Sequence, residues 1–168
     1  MLLEALLWHG FRGPARLEDD GLEAVVRSLS NTVTLAFSLD NPVVRDALSV
    51  RTEVCCDGLF LSLRRVSEQG PELSLLFLEL KGKNIAHAVD QIESALVAVQ
   101  RALWSEGAVV RHRTRFVAAI VSDRAAPSLV RPDARRRLQK LGAELEVRSG
   151  ERRGKSADLT DLVWRSGA

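Results

Sequence analysis

The sequence predicts an α/β domain with a mixed central sheet flanked by helices. Three observations carry this expectation. Short β-rich runs alternate with segments of helical periodicity. Two of those runs, 54–66 and 73–81, are separated by Ser67, Glu68, Gln69, Gly70 and Pro71, which is hairpin-turn composition. The second run is apolar at almost every position, as a strand covered on both faces is.

Taken in chain order, residues 2–8 and 21–29 read as helical, with the turn-rich Gly10, Phe11, Arg12, Gly13 and Pro14 between them. Residues 32–37 alternate and are β-branched, which favours a strand. Asn41 suits an N-cap and Pro42 a first helical position, so 43–48 reads as a short helix. After the hairpin, Gly82 breaks the strand. A helix over 84–104 then places Ile85, Val89, Ile92, Leu96, Val99 and Leu103 on one face. Residues 116–121 form a buried strand. Pro132 opens a helix over 133–141 that Gly142 ends, and 144–147 is the last strand. The whole chain, 1–168, reads as one domain, with a core over about 21–122 and a basic helix–strand extension over 123–168.

Composition narrows the class. A chain of 168 residues with 46% apolar and 27% charged residues is ordinary globular composition. The apolar stretch 2–8 is interrupted by Glu4 and is too short for a signal peptide or a membrane span, so the expected location is cytoplasmic. Adjacent Cys55 and Cys56 lack a second cysteine pair and read as reduced packing residues. Trp8, Trp104 and Trp164 are too scattered for a base-stacking platform and read as core. The net charge of +2 is uneven: residues 1–100 carry 9 Lys/Arg against 14 Asp/Glu, and residues 101–168 carry 15 against 8. The basic half suits either a phosphate partner or a solvated surface.

Chemistry concentrates at the end of the hairpin. Glu79 and Lys81, two apart on one strand, project to the same face of an otherwise apolar run. Charges there are costly to bury unless paired or liganded. Asp57 lies on the first arm, where simple pairing puts it opposite Lys81 and beside Glu79. Two carboxylates and a lysine are suitable equipment for phosphodiester hydrolysis. The acids, with the Leu80 carbonyl, offer oxygen ligands of the kind that select Mg²⁺ or Mn²⁺. The lysine can orient or deprotonate water. The bland alternative is a structural ion pair at a strand end.

The pattern Asp57 … Glu79–Leu80–Lys81, on a hairpin followed by a helix, resembles the PD-(D/E)xK nuclease superfamily. The resemblance covers somewhat more than half the chain, although Cys56 stands where the motif's proline would be. It implies a restriction-endonuclease-like αβββαβ core and a metal-dependent nuclease. DNA is the expected substrate, RNA is not excluded, and the assembly is a homodimer or includes a partner subunit. It also implies supporting roles for Gln91 on the following helix and for an acid on the first core helix, where Glu23 is the candidate. Lys83, Arg135, Arg136 and Lys140 are then candidate phosphate contacts, with a solvated surface as the alternative for each. A silent domain of the same fold, binding nucleic acid or a protein, is the competing function.

Overall fold

The computed structural model describes residues 2–19, 21–50, 55–66, 70–81, 85–105, 114–123, 130–150 and 156–164. A short helix α1 (Leu2–Ala5) continues as a π-helical turn (Leu6–Gly10) into strand β1 (Phe11–Gly13). Strands β2 (Arg16–Asp19), β3 (Leu22–Val25) and β4 (Thr32–Ser38) follow, then helix α2 (Pro42–Ala47). The hairpin strands are β5 (Gly58–Val66) and β6 (Gly70–Lys81). Helix α3 (Ile85–Ser105), β7 (Thr114–Ser122), α4 (Pro132–Lys140) and β8 (Ala143–Ser149) complete the main layers. Strand β9 (Ala157–Asp158) and helix α5 (Thr160–Val163) close the chain.

Six strands form the central sheet in the order β1-β4-β5-β6-β7-β8. β4, β5 and β6 make an antiparallel meander. α3 then carries the chain back over the sheet, so β7 runs parallel to β6, and β8 runs parallel to β7. The α/β class with a mixed, helix-flanked sheet is therefore as expected. Strand β6 is central and covered on both faces, which explains its unbroken apolar run. Its odd-numbered residues Leu75 and Phe77 join Phe37, Leu59, Ile92, Leu96 and Ile120 in a core beneath the helices. Its even-numbered residues Leu76, Leu78 and Leu80 join Ala36, Phe60, Val117 and Val121 in a second core on the opposite face.

That second face is covered by a feature the sequence reading missed. Residues 21–29 were expected to be helical, but Leu22–Val25 is a strand, paired antiparallel with β2 from Arg16↔Val25 to Asp19↔Leu22. Its burial alternates with period two: Leu22, Ala24 and Val26 are inward. β9 adds in parallel to give a small three-stranded sheet. The signal was the pair Asp20–Gly21, a preferred two-residue hairpin loop, and Gly21 has the positive φ of 74° such a loop needs. Packing is close where this layer meets the sheet: a Cβ on Gly58 would lie 2.5 Å from the Leu17 side chain and 2.9 Å from the Phe37 carbonyl.

β8 is a full member of the central sheet, in register with β7 from Phe116↔Ala143 to Ser122↔Ser149. Two further expectations are corrected. Trp8 and Trp104 are not core: they are 79% and 44% exposed, while Trp164 lies under the Arg64 guanidinium at 4.8 Å. The hairpin register also differs. Val66 pairs with Gly70 and Gly58 with Leu78, so Asp57 lies across from Glu79 rather than Lys81. The ladder is centred on position 68, one residue nearer the N-terminus than an Asp57–Lys81 pairing requires, and the offset carries along its whole length.

The short helix α2 forms as its cap predicts: Asn41 Oδ1 accepts from Val43 N at 2.9 Å and Val44 N at 3.4 Å. No helix among the described residues is long and apolar enough to cross a membrane.

Candidate active site

Strands β4, β6, β7 and β8 all end at one edge of the sheet, where β5 begins. In a sheet with parallel strands, the carboxyl ends are the usual place for ligands, because the chain departs there into connections that leave a crevice. Asp57, Glu79 and Lys81 meet at this edge.

Their arrangement is reciprocal. The Asp57 backbone N–H donates to Glu79 Oε2 at 3.1 Å, and the Leu80 N–H donates to Asp57 Oδ2 at 2.6 Å. Each carboxylate thus satisfies a backbone donor of the other's strand, which fixes both acids at the mouth of the hairpin. Lys81 Nζ lies 2.5 Å from Glu79 Oε1. Glu79 is fully buried, Asp57 is partly buried, and the Lys81 side chain keeps 27% exposure.

Burial dominates the electrostatics. Desolvation pushes Asp57 up to about 6, against the opposing hydrogen bond from Leu80. Glu79 is pushed up to about 7, first by desolvation and then by the charge of Asp57, with Lys81 opposing both. Burial pulls the Lys81 ammonium down, but its hydrogen bond to Glu79 and the charges of Glu79, Asp57 and Asp19 more than offset this and raise it overall. Lys81 is therefore a cation at neutral pH, suited to stabilising negative charge rather than removing a proton. Desolvation, then Glu79 and Asp57, raise the Cys56 thiol well above its ordinary range, and Cys55 is also raised by burial. Neither cysteine is poised as a nucleophile.

Beside Asp57 and Leu80 opens a cleft of about 340 Å³, whose walls include Arg12, Arg16, Asp19, Ser38 and Asp40. Asp40 is ion-paired with Arg45, whose Nε also reaches the Leu39 carbonyl at 3.3 Å. Arg12, Asp19 and Asp40 come from separate strand ends and loops. Their proximity to Asp57 had no signature in sequence spacing.

Gln91 reaches the site indirectly. Its Nε2 donates to the Cys55 carbonyl at 3.1 Å, two residues before Asp57, and its buried Oε1 has no hydrogen-bond partner among the described residues. His87, one turn earlier, is exposed. Glu23, expected on a helix, lies instead on β3, with Oε1 2.6 Å from Arg16 Nε. Arg16 pairs it along the hairpin, so no helix presents it to Asp57. Lys83 lies outside the described residues.

The basic helix does not converge on these acids. Arg135 Nη1 donates to the Leu145 carbonyl at 2.8 Å and stitches α4 to β8. Arg136 Nε lies 3.4 Å from the Pro132 carbonyl of its own helix. Lys140 lines a larger groove, about 430 Å³, with Leu73, Trp104, Thr114 and Phe116. That groove sits where β6 and β7 start. Leu73 and Lys81 are separated by about 26 Å at the usual strand rise.

The donors at this edge are carboxylate oxygens, the ligand type hard divalent cations prefer. One oxygen of each acid is held by a backbone N–H; Asp57 Oδ1 remains, while Glu79 Oε1 lies against Lys81 Nζ. Among the described residues no three His, Cys, Asp or Glu side chains converge as a ready chelate. Mg²⁺ is commonly held by one or two carboxylates, with water and substrate oxygens completing the shell. Zinc favours nitrogen and sulfur donors, and among the described residues neither His nor Cys lines the cleft. No family model, curated protein or solved structure matches the chain.

Proposed function

We propose that the chain is a Mg²⁺- or Mn²⁺-dependent nuclease with a restriction-endonuclease-like αβββαβ core, acting on DNA. The observation that carries this reading is the interlocked pair Asp57–Glu79, with Lys81 alongside, held at the carboxyl edge of the sheet, where Asp57 lines a cleft. The β4–β5–β6 meander, the α3 crossover and the parallel strand β7 favour this reading, whereas residues 21–29, expected as its first core helix, contain strand β3 instead.

Asp57 and Glu79 are the residues that would hold the cation. When bound, the cation supplies charge neutralisation at the phosphate and makes water a better nucleophile. Asp57, on the cleft wall, places that chemistry where substrate enters. Lys81, cationic at neutral pH, stabilises charge developing on the phosphate oxygens. Gln91 holds the Cys55–Asp57 segment against α3 and so positions Asp57.

The test uses plasmid and oligonucleotide substrates with Mg²⁺ or Mn²⁺, comparing wild type with Asp57→Asn, Glu79→Gln and Lys81→Ala. Each variant is expected to lower the cleavage rate by about 10²–10³-fold. A second readout is thermal stability at pH 8, where Mg²⁺ raises the wild-type Tm and leaves the two amide variants unmoved. Wild type that neither cuts nor responds to metal would reject the reading.

A further inference from the structure

Strand β1 pairs with β4 through Phe11↔Phe37 and Gly13↔Ala36: two steps along β1 answer one along β4. Arg12 is therefore the extra residue of a β-bulge. Bulges re-aim a side chain that regular pleating would send elsewhere, and they recur beside active sites for that reason. The bulge is anchored on both sides. The Phe11 ring packs edge-on against Phe37, with centroids 6.0 Å apart, and Gly13 adopts a φ of 132° that an L side chain rarely takes.

The re-aimed side chain lines the cleft that Asp57 and Leu80 also line. Arg12 is exposed, and its guanidinium makes no hydrogen bond or ion pair among the described residues. That sets it apart. Arg16, Arg27, Arg45, Arg64, Arg115, Arg131, Arg137 and Arg148 each have a carboxylate partner, and Arg135 and Arg136 bond to carbonyls. Arg101 is the other arginine of this kind among the described side chains, and it lies near the C-terminal end of α3. A forked cation without an ion pair among the described residues, in a cleft that also offers Asp19 and Asp40, is available to an anion from solution.

We propose that Arg12 is the substrate-phosphate contact of this site, gripping a backbone phosphate of the polynucleotide next to the bond cleaved at Asp57. The inference rests on the nuclease reading and names a recognition residue for it. A guanidinium matches two phosphate oxygens at once, which a lysine ammonium does not. The positive charge of the guanidinium also offsets the repulsion that Asp19, Asp40 and Asp57 exert on the backbone.

The experiment measures binding of a fluorescently labelled oligonucleotide by anisotropy, in Ca²⁺ and across a salt series, together with cleavage kinetics in Mg²⁺. Wild type is compared with Arg12→Ala, Arg12→Lys and, as an equally unpaired cation remote from the cleft, Arg101→Ala. Arg12→Ala is expected to weaken binding by about 10–100-fold. It should also flatten the slope of log K against log salt by about 0.7–0.9, one phosphate contact. KM rises more than kcat falls, Arg12→Lys recovers part of the loss, and Arg101→Ala behaves as wild type. If wild type cuts while Arg12→Ala keeps the same affinity, KM and salt slope, the assignment of Arg12 is wrong and the nuclease reading stands. If wild type binds without cutting, the nuclease reading is overturned and the role of Arg12 beside a cleaved bond falls with it. If wild type neither binds nor cuts, both are overturned together.

Discussion

At the residue scale, the two acids cost the fold stability. Both hold a proton more tightly folded than unfolded, since burial raises Asp57 from 3.8 to about 6 and Glu79 from 4.5 to about 7. The sign follows from linkage: their contribution to stability is full below about pH 4 and is lost as pH rises through the two folded values. Wild type should therefore lose stability between about pH 5 and pH 8. Asp57→Asn and Glu79→Gln retain an oxygen that accepts the Leu80 and Asp57 N–H groups while removing a buried charge. Each is expected to be more stable than wild type at pH 8 by about 1–3 kcal/mol, with the gap closing toward pH 5. Thermal melts across that range check this. Amide variants that melt at or below wild type at pH 8 would show that the acids stabilise the fold, as an ordinary structural ion pair does.

At the scale of elements, the site depends on how segments are tied together. Asp57 precedes β5 and has no ladder of its own. Its place is set by Leu39 N, which donates to the Asp57 carbonyl at 3.1 Å, by Leu80, and by Gln91 reaching across from α3. Gln91→Ala removes the donor to the Cys55 carbonyl and should cost about 1–3 kcal/mol of stability. If Gln91 positions Asp57, kcat should fall about tenfold with KM little changed. A stability loss with unchanged kcat would leave Gln91 a structural strut only. A ligand role predicts instead a loss of Mg²⁺ affinity.

At the scale of the whole molecule, the sheet extends beyond the unit its sequence pattern suggests. β7 is covered on one side by β6 and on the other by β8, and α4 packs Leu138 into the same core as Ile92 and Leu145. A chain ended at Ser122 would leave a β7 edge bearing unpaired backbone groups and would uncover that core. Such a truncation is expected to give no cooperative thermal transition by circular dichroism. A folded 1–122 fragment would instead vindicate the core-plus-extension division drawn from the sequence.

Much of this protein is determined locally. The apolar continuity of 73–81 requires a doubly covered strand, Asn41–Pro42 requires a helix start, and Glu79 and Lys81 must share a face because side chains on a strand alternate. Those features need only near neighbours in sequence, so the α/β class, the hairpin and the three charged residues at its mouth were legible. Tertiary structure decided the rest. Whether 22–25 became helix or strand depended on the uncovered second face of the sheet, where a hairpin with β2 buries Leu22 and Ala24. The register that set Asp57 opposite Glu79, the bulge that turned Arg12 outward and the meeting of Arg12, Asp19 and Asp40 with Asp57 arise from pairings between distant segments. Spacing along the chain cannot encode them, because the energy that selects them is released only when the layers pack.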